Sequence, residues 1–151
     1  MSEIRVAVVG VGNCAKSLIE GVTLYGHTDG TEGLAFAEIG GYKPKDIKFV
    51  LAYDVDKRKV GRPLAEAMYN RPNCAIVLLT EEQRSWLSDS CVGPVEVKRG
   101  ALYDGVAPHM KDYPEDDSFR VTHDPEPKHD DVVQDLKEHK IPLWSDCAGG
   151  P

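Results

Sequence analysis

Residues 4–15, Ile-Arg-Val-Ala-Val-Val-Gly-Val-Gly-Asn-Cys-Ala, constrain the fold of this 151-residue chain more than any other stretch. A β-branched, apolar run from Ile4 to Val9 leads straight into Gly10-x-Gly12-x-x-Ala15. A helical pattern follows, about Asn13 to Tyr25, with Leu18, Ile19 and Val22 expected on its inner face. This is the strand, tight turn and helix start of a dinucleotide-binding βα unit. Gly10 allows the turn at the strand end. Gly12 has no Cβ to hold the backbone away from a pyrophosphate, and Ala15 is small enough for the helix to lie close to the strand. The helix then offers unpaired N–H groups, those of Asn13 and Cys14 among them, and the positive end of its dipole to the phosphate charge.

The next clear strand runs from Ile47 to Tyr53 and ends in Asp54. In a dinucleotide unit an acid at this strand end, about 20 residues past the glycines, takes the adenosine ribose hydroxyls. Asp54 occupies that place but lies 42 residues after Gly12 (54 − 12), so the connection carries an insertion, assigned to residues 26–46. Asp56 is a candidate to share the ribose role. Beside these acids stands Lys57-Arg58-Lys59, a cluster that could hold a 2′-phosphate or form an exposed basic turn. An acid at the strand end repels a 2′-phosphate, so the expected cofactor is NAD rather than NADP.

Farther on, Pro63 suits the first turn of a short helix with Leu64, Ala67 and Met68 inward. Cys74 to Leu79 is apolar enough for a strand, and Val95 to Lys98 alternates as a half-buried strand does. Arg99 to Gly105 reads as a glycine-bounded loop, and residues 113–117 and 124–127 as surface loop. A last helix is expected from about Asp130 to His139, with an Asp cap and Val132, Val133 and Leu136 inward. His123, Asp124, His129, Asp130 and Asp131 lack metal-motif spacing and read as a solvated acidic stretch, so no metal is expected. No GxSxG elbow is present.

Composition narrows the partners. With 25 acidic and 18 basic residues, a net charge of −7, there is no basic surface for nucleic acid or anionic membrane. No apolar run is long enough to span a bilayer and no signal-peptide core is present, which makes a cytoplasmic protein the expectation. Cys14, Cys74, Cys91 and Cys147 form no CxxC pair and are expected to be reduced, small and mostly buried.

Together these segments resemble one family, the bacterial and archaeal type of myo-inositol-1-phosphate synthase (inositol-3-phosphate synthase). The resemblance rests on Val6 to Leu18 with the GVGNCA loop, the long connection to Asp46-Ile47-Lys48-Phe49-Val50, and Ala52-Tyr53-Asp54-Val55-Asp56-Lys57-Arg58-Lys59-Val60-Gly61. It continues in Val95 to Gly100 with Asp104-Gly105, and in Asp131 to Lys137. After Gly61 the family usually carries an acid where this chain has Arg62-Pro63.

The resemblance implies an α/β fold, a Rossmann-like doubly wound parallel sheet, over residues 1–140. It implies an isomerase that uses NAD: hydride leaves C5 of glucose 6-phosphate, a proton is lost beside the new ketone, an aldol closure forms the ring, and the hydride returns. It also implies homo-tetramers. The tail 141–151 departs from the family, so the sheet is expected to be truncated before completion and the catalytic and tetramerisation domain to be absent. The cofactor residues so assigned are Gly10, Gly12, Asn13, Cys14, Asp54 and Asp56, with no catalytic residue. Two other functions stay open, a fragment that holds NAD without turnover and the N-terminal domain of another NAD-dependent dehydrogenase.

Overall fold

The computed structural model describes residues 3–89, 91–103 and 108–141. Asp104, Gly105, Cys147 and the rest of the tail beyond Ile141 lie outside them. Three strands, β1 (Ile4–Val9), β2 (Ile47–Asp54) and β3 (Val97–Arg99), form one parallel sheet in the order β1-β2-β3. Helix α1 (Asn13–His27) follows β1. The short α2 (Leu64–Ala67) and α3 (Trp86–Asp89) lie between β2 and β3, and α4 (His129–Glu138) follows β3. The expected α/β class and Rossmann-like parallel sheet are what the chain forms.

The sheet is covered on both faces. Val8 of β1, Phe49 and Ala52 of β2 and Val97 of β3 pack with Ile19 and Val22 of α1, Leu64 and Ala67 of α2 and Leu87 of α3. On the opposite face Leu51 and Tyr53 meet Leu136 of α4, with Ala7, Val132 and Ile141 at the margin. A strand alternates faces with period two, so Phe49 and Ala52 could not share a face in a regular β2. The register supplies the reason. Val6 pairs with Phe49, but Ala7 pairs with Leu51, and Val50 is the extra residue of a bulge. The bulge restores the match of faces: Val6 and Phe49 point toward α1, Ala7 and Leu51 toward α4, and Val8 and Ala52 toward α1 again.

Several local expectations are corrected. Leu18 is exposed, and the inner face of α1 carries Lys16 and Glu20 beside Ile19, Val22 and Thr23. Residues 74–79 form no strand, because their backbone is satisfied by side chains rather than by the sheet. Asn13 Oδ1 accepts the N–H groups of Cys74 and Ala75, Lys16 Nζ donates to the carbonyls of Ala75 and Ile76, and Glu20 Oε2 accepts the N–H of Leu78. Only Leu79 of this segment is buried. The cap of α4 is Lys128, not an Asp; Asp131, three residues on, accepts the Lys128 N–H instead. Cys14 and Cys74 are exposed and Cys91 is buried, all three as free thiols. Among the described residues no helix is long and apolar enough to cross a membrane.

Candidate nucleotide site

The glycine loop joins β1 to α1. Gly10 adopts φ +90°, in the left-handed region that an L side chain rarely enters, and its N–H donates to the Tyr53 carbonyl at 2.8 Å. Val11 turns its side chain into the core, where it is fully buried. Its N–H donates to Asp54 Oδ2 at 2.7 Å, and its carbonyl accepts from Lys59 Nζ at 2.6 Å and Asn73 Nδ2 at 3.0 Å. Gly12 caps α1, its carbonyl taking the Lys16 N–H at 3.0 Å. A Cβ added to Gly10 or Gly12 would meet no protein atom within 4 Å. The loop is therefore braced from within and open on its outer side. The first N–H groups of a 15-residue helix point toward that side, with no carbonyl of the helix to receive them.

Asp54 stands at the end of β2 and is 9% exposed. Besides the Val11 N–H, its carboxylate accepts the N–H groups of Val55 and Asp56 through Oδ1. Its Oδ2 lies 3.9 Å from Lys59 Nζ. Asp56 behaves differently. Its carboxylate is clamped by the Arg58 guanidinium and backbone N–H and by the Arg120 N–H. Burial works to raise the Asp56 carboxyl, but the hydrogen bonds from Arg58 and Arg120 outweigh it and hold it below the usual carboxylate range.

Lys57, Arg58 and Lys59 have three separate fates. Lys57 pairs with Glu115 at 2.9 Å, and Arg58 pairs with Asp56 and reaches the carbonyls of Glu115 and Ser118. Lys59 is 2% exposed behind the glycine loop, where burial, only partly opposed by Asp54 and Asp56, lowers the pKa of its ammonium. Of the three, Lys57 stays exposed on the turn, while Arg58 is half-buried and Lys59 buried.

A cavity of about 920 Å³ opens where the strands end. Gly10, Gly12 and Asn13 form one side, Tyr53, Asp54 and Val55 the floor, and Gly100 and Ala101, just past β3, the far end. Val132, Val133 and Leu136 of α4 give it an apolar roof. A largely apolar hollow with a few polar groups, at the carboxyl ends of parallel strands, is the usual setting of a ligand site in an α/β protein. The structure brings Gly10, Gly12, Asn13 and Asp54 to this one cavity. Cys14 is exposed in the first turn of α1, and Asp56 lies outside the cavity lining. The side chain of Asn13 is occupied with Cys74 and Ala75, which leaves the backbone as its means of meeting a ligand. Sequence reasoning missed Lys59 and Asn73 as loop braces, since both hold the loop from 48 or more residues away.

No protein-family model matches the chain. Inositol-3-phosphate synthase of Mycobacterium tuberculosis is 40% identical over 143 residues, 93% of this chain and 34% of that protein. The enzyme of the same name from Mycolicibacterium smegmatis is 39% identical over 142 residues, and that from Corynebacterium glutamicum 42% identical over 113 residues. The M. smegmatis match covers 92% of this chain and 34% of that protein, the C. glutamicum match 73% and 29%. The chain spans about a third of the length of the curated relatives it matches. Among solved structures, the crystal structure of Ari2 superposes with a TM-score of 0.63 at 26% identity, over 92% of this chain and 37% of that one. Over nearly its whole length, then, this Rossmann-like chain is similar to the N-terminal part of inositol-3-phosphate synthases.

Proposed function

We propose that the chain is the NAD-binding part of an inositol-3-phosphate synthase, an isomerase that converts glucose 6-phosphate to inositol phosphate. The observation that carries this reading is the joining of Asp54 to the glycine loop at the wall of one cavity. A buried carboxylate that already accepts the Val11 N–H is well placed to take a ribose hydroxyl on its cavity side. Lys57, Arg58 and Lys59 are each committed to protein partners, which supports NAD over NADP. The loop also fits the group, since the space beside Gly12 is free of protein atoms. NAD, when bound, supplies a hydride acceptor that is restored at the end of the reaction. The chain's own part is to bind the pyrophosphate on the Gly12, Asn13 and Cys14 N–H groups, to orient the ribose on Asp54, and to shield the adenine side under Val132 and Val133.

In this reading the ring-closing groups belong to the remainder of such an enzyme. Lys98 and Arg99, the cations at the end of β3, are paired with Asp135 and Glu126. The chain alone holds cofactor without turnover. The cytoplasm completes the proposal, and the homo-tetramer that the family resemblance implies belongs, like the ring-closing groups, to the remainder of such an enzyme.

Calorimetric titration with NAD and NADP tests it. NAD is expected to bind more tightly, and equal or tighter NADP binding overturns the role of Asp54. Gly12→Val should abolish binding while costing no more than about 1 kcal/mol of stability, because its Cβ meets no protein atom and the loss is that of a preferred N-cap residue.

A further inference from the structure

We propose that Lys59 is a positioning residue for phosphate recognition: with Asn73 it pins the Val11 carbonyl and thereby aims the Gly12 N–H at an anionic phosphate in the cavity. The inference rests on the nucleotide reading above and extends it to two residues outside the glycine motif.

A trans peptide is planar, so the carbonyl of Val11 and the N–H of Gly12 point in opposite directions. The carbonyl is held from inside the protein by Lys59 Nζ at 2.6 Å and Asn73 Nδ2 at 3.0 Å. The Gly12 N–H is therefore turned away from buried Lys59 and half-buried Asn73, and all three residues border the cavity. The preceding peptide is fixed as well, through the Val11 N–H on Asp54. Two successive peptides are locked in a loop whose glycines would otherwise be the freest residues of the chain. A donor set in place before the ligand arrives spends little binding energy on ordering.

The charge of Lys59 points the same way. A buried ammonium is costly unless closely paired, and its nearest carboxylate, Asp54, is 3.9 Å away. Its short contacts are to neutral oxygens, Val11 O and Asn73 Oδ1 at 2.8 Å. A neutral side chain would fill this space at lower cost. A buried cation bonded to the glycine loop and bordering the same cavity makes sense if an anion sits at that loop, where Lys59 both attracts the phosphate and polarises the Val11–Gly12 peptide.

ADP, which carries a pyrophosphate, and adenosine, which carries none, separate positioning from mere support. By calorimetry on the full chain, the wild type should bind ADP more tightly than adenosine. Lys59→Met should weaken ADP at least about tenfold, the scale of a lost charged hydrogen bond, and leave adenosine within about twofold. Asn73→Leu should give a smaller loss with the same selectivity, and it decides the matter if the Lys59 variant does not fold. Equal losses of ADP and adenosine, or an unchanged ratio of the two, overturn the positioning role. A wild-type chain with no preference for ADP overturns the nucleotide reading, and this inference with it.

Discussion

The two faces of the sheet are built to different ends. Toward α1 the packing is dense and apolar: Val8, Val11, Ile19, Phe49, Leu64, Met68 and Val97 are 0 to 7% exposed and form one continuous cluster. Toward α4, among the described residues, the buried cluster holds only Leu51, Tyr53 and Leu136. Both faces carry a polar contact as well: Lys16 and Glu20 pair beneath α1 at 3.3 Å, and toward α4 Asp135 accepts both the Tyr53 hydroxyl and Lys98 Nζ. The hollow that α4 leaves is the cavity itself, since Val132 and Leu136 serve both as packing and as its wall. A helix that filled this face as α1 fills the other would leave no room for a nucleotide. The apolar core is thus concentrated on the α1 side of the sheet, while the ligand space lies at the strand ends between the glycine loop and α4.

The sharpest break of this comparison would come from Phe49. Phe49→Ala, in the filled face, should cost about 3–5 kcal/mol in denaturant unfolding, enough to threaten the fold. Leu136→Ala, in the hollow face, should cost about 2 kcal/mol, because part of its surface already borders open space. Equal costs for the two would show that the faces do not differ as described. The smallest effect concerns Tyr53→Phe, expected at about 1 kcal/mol near pH 7 for one half-buried hydrogen bond to a carboxylate. Burial raises the Asp135 carboxyl, but the hydrogen bonds from Lys98 and Tyr53 hold it below its ordinary value. The stability it gives is present above about pH 4, the unfolded value, and is lost as pH falls through the depressed folded value. The gap between wild type and Tyr53→Phe should therefore narrow on acidification, and unfolding curves at a series of pH values from 7 to 3 would check it.

The βα unit was legible in the sequence because its signals are local: Ile4 to Val9 sets the strand, Gly10 and Gly12 the turn, and Asp54 the end of β2. Segment 74–79 was not legible, because Cys-Ala-Ile-Val-Leu-Leu has the composition of a buried strand while its partners are three polar side chains of α1. A clue was present in Lys16 and Glu20, one helical turn apart and flanking Ile19 on the inner face, where they form a buried pair at 3.3 Å. The basic run 57–59 shows the same limit. Three like charges in a row suggest one shared role, but the turn from Asp56 to Gly61 sends Lys57 to Glu115, Arg58 to Asp56 and Lys59 beneath the glycine loop. Which of three adjacent side chains faces inward depends on backbone geometry that composition does not carry.

The bulge at Val50 gives β2 two halves of opposite parity. The C-terminal half is locked in phase by Gly10 on Tyr53 and by Asp54 on Val11, so the odd residue can only be absorbed upstream. Straightening the bulge with Val50 kept in the ladder would leave the nucleotide end in place but rotate the strand before it, swinging Phe49 toward α4 and drawing Lys48 into the apolar side. Deleting Val50 would instead leave Val6 on Phe49 and Ala7 on Leu51 in regular alternation. A one-residue gap at Val50 is therefore a length change that this strand absorbs without exchanging its faces. Anyone grafting this strand into another scaffold, or aligning it with a distant relative, has to keep Val50 out of the ladder or leave it out altogether, because pairing it exchanges the inside and outside of the sheet for every residue before it.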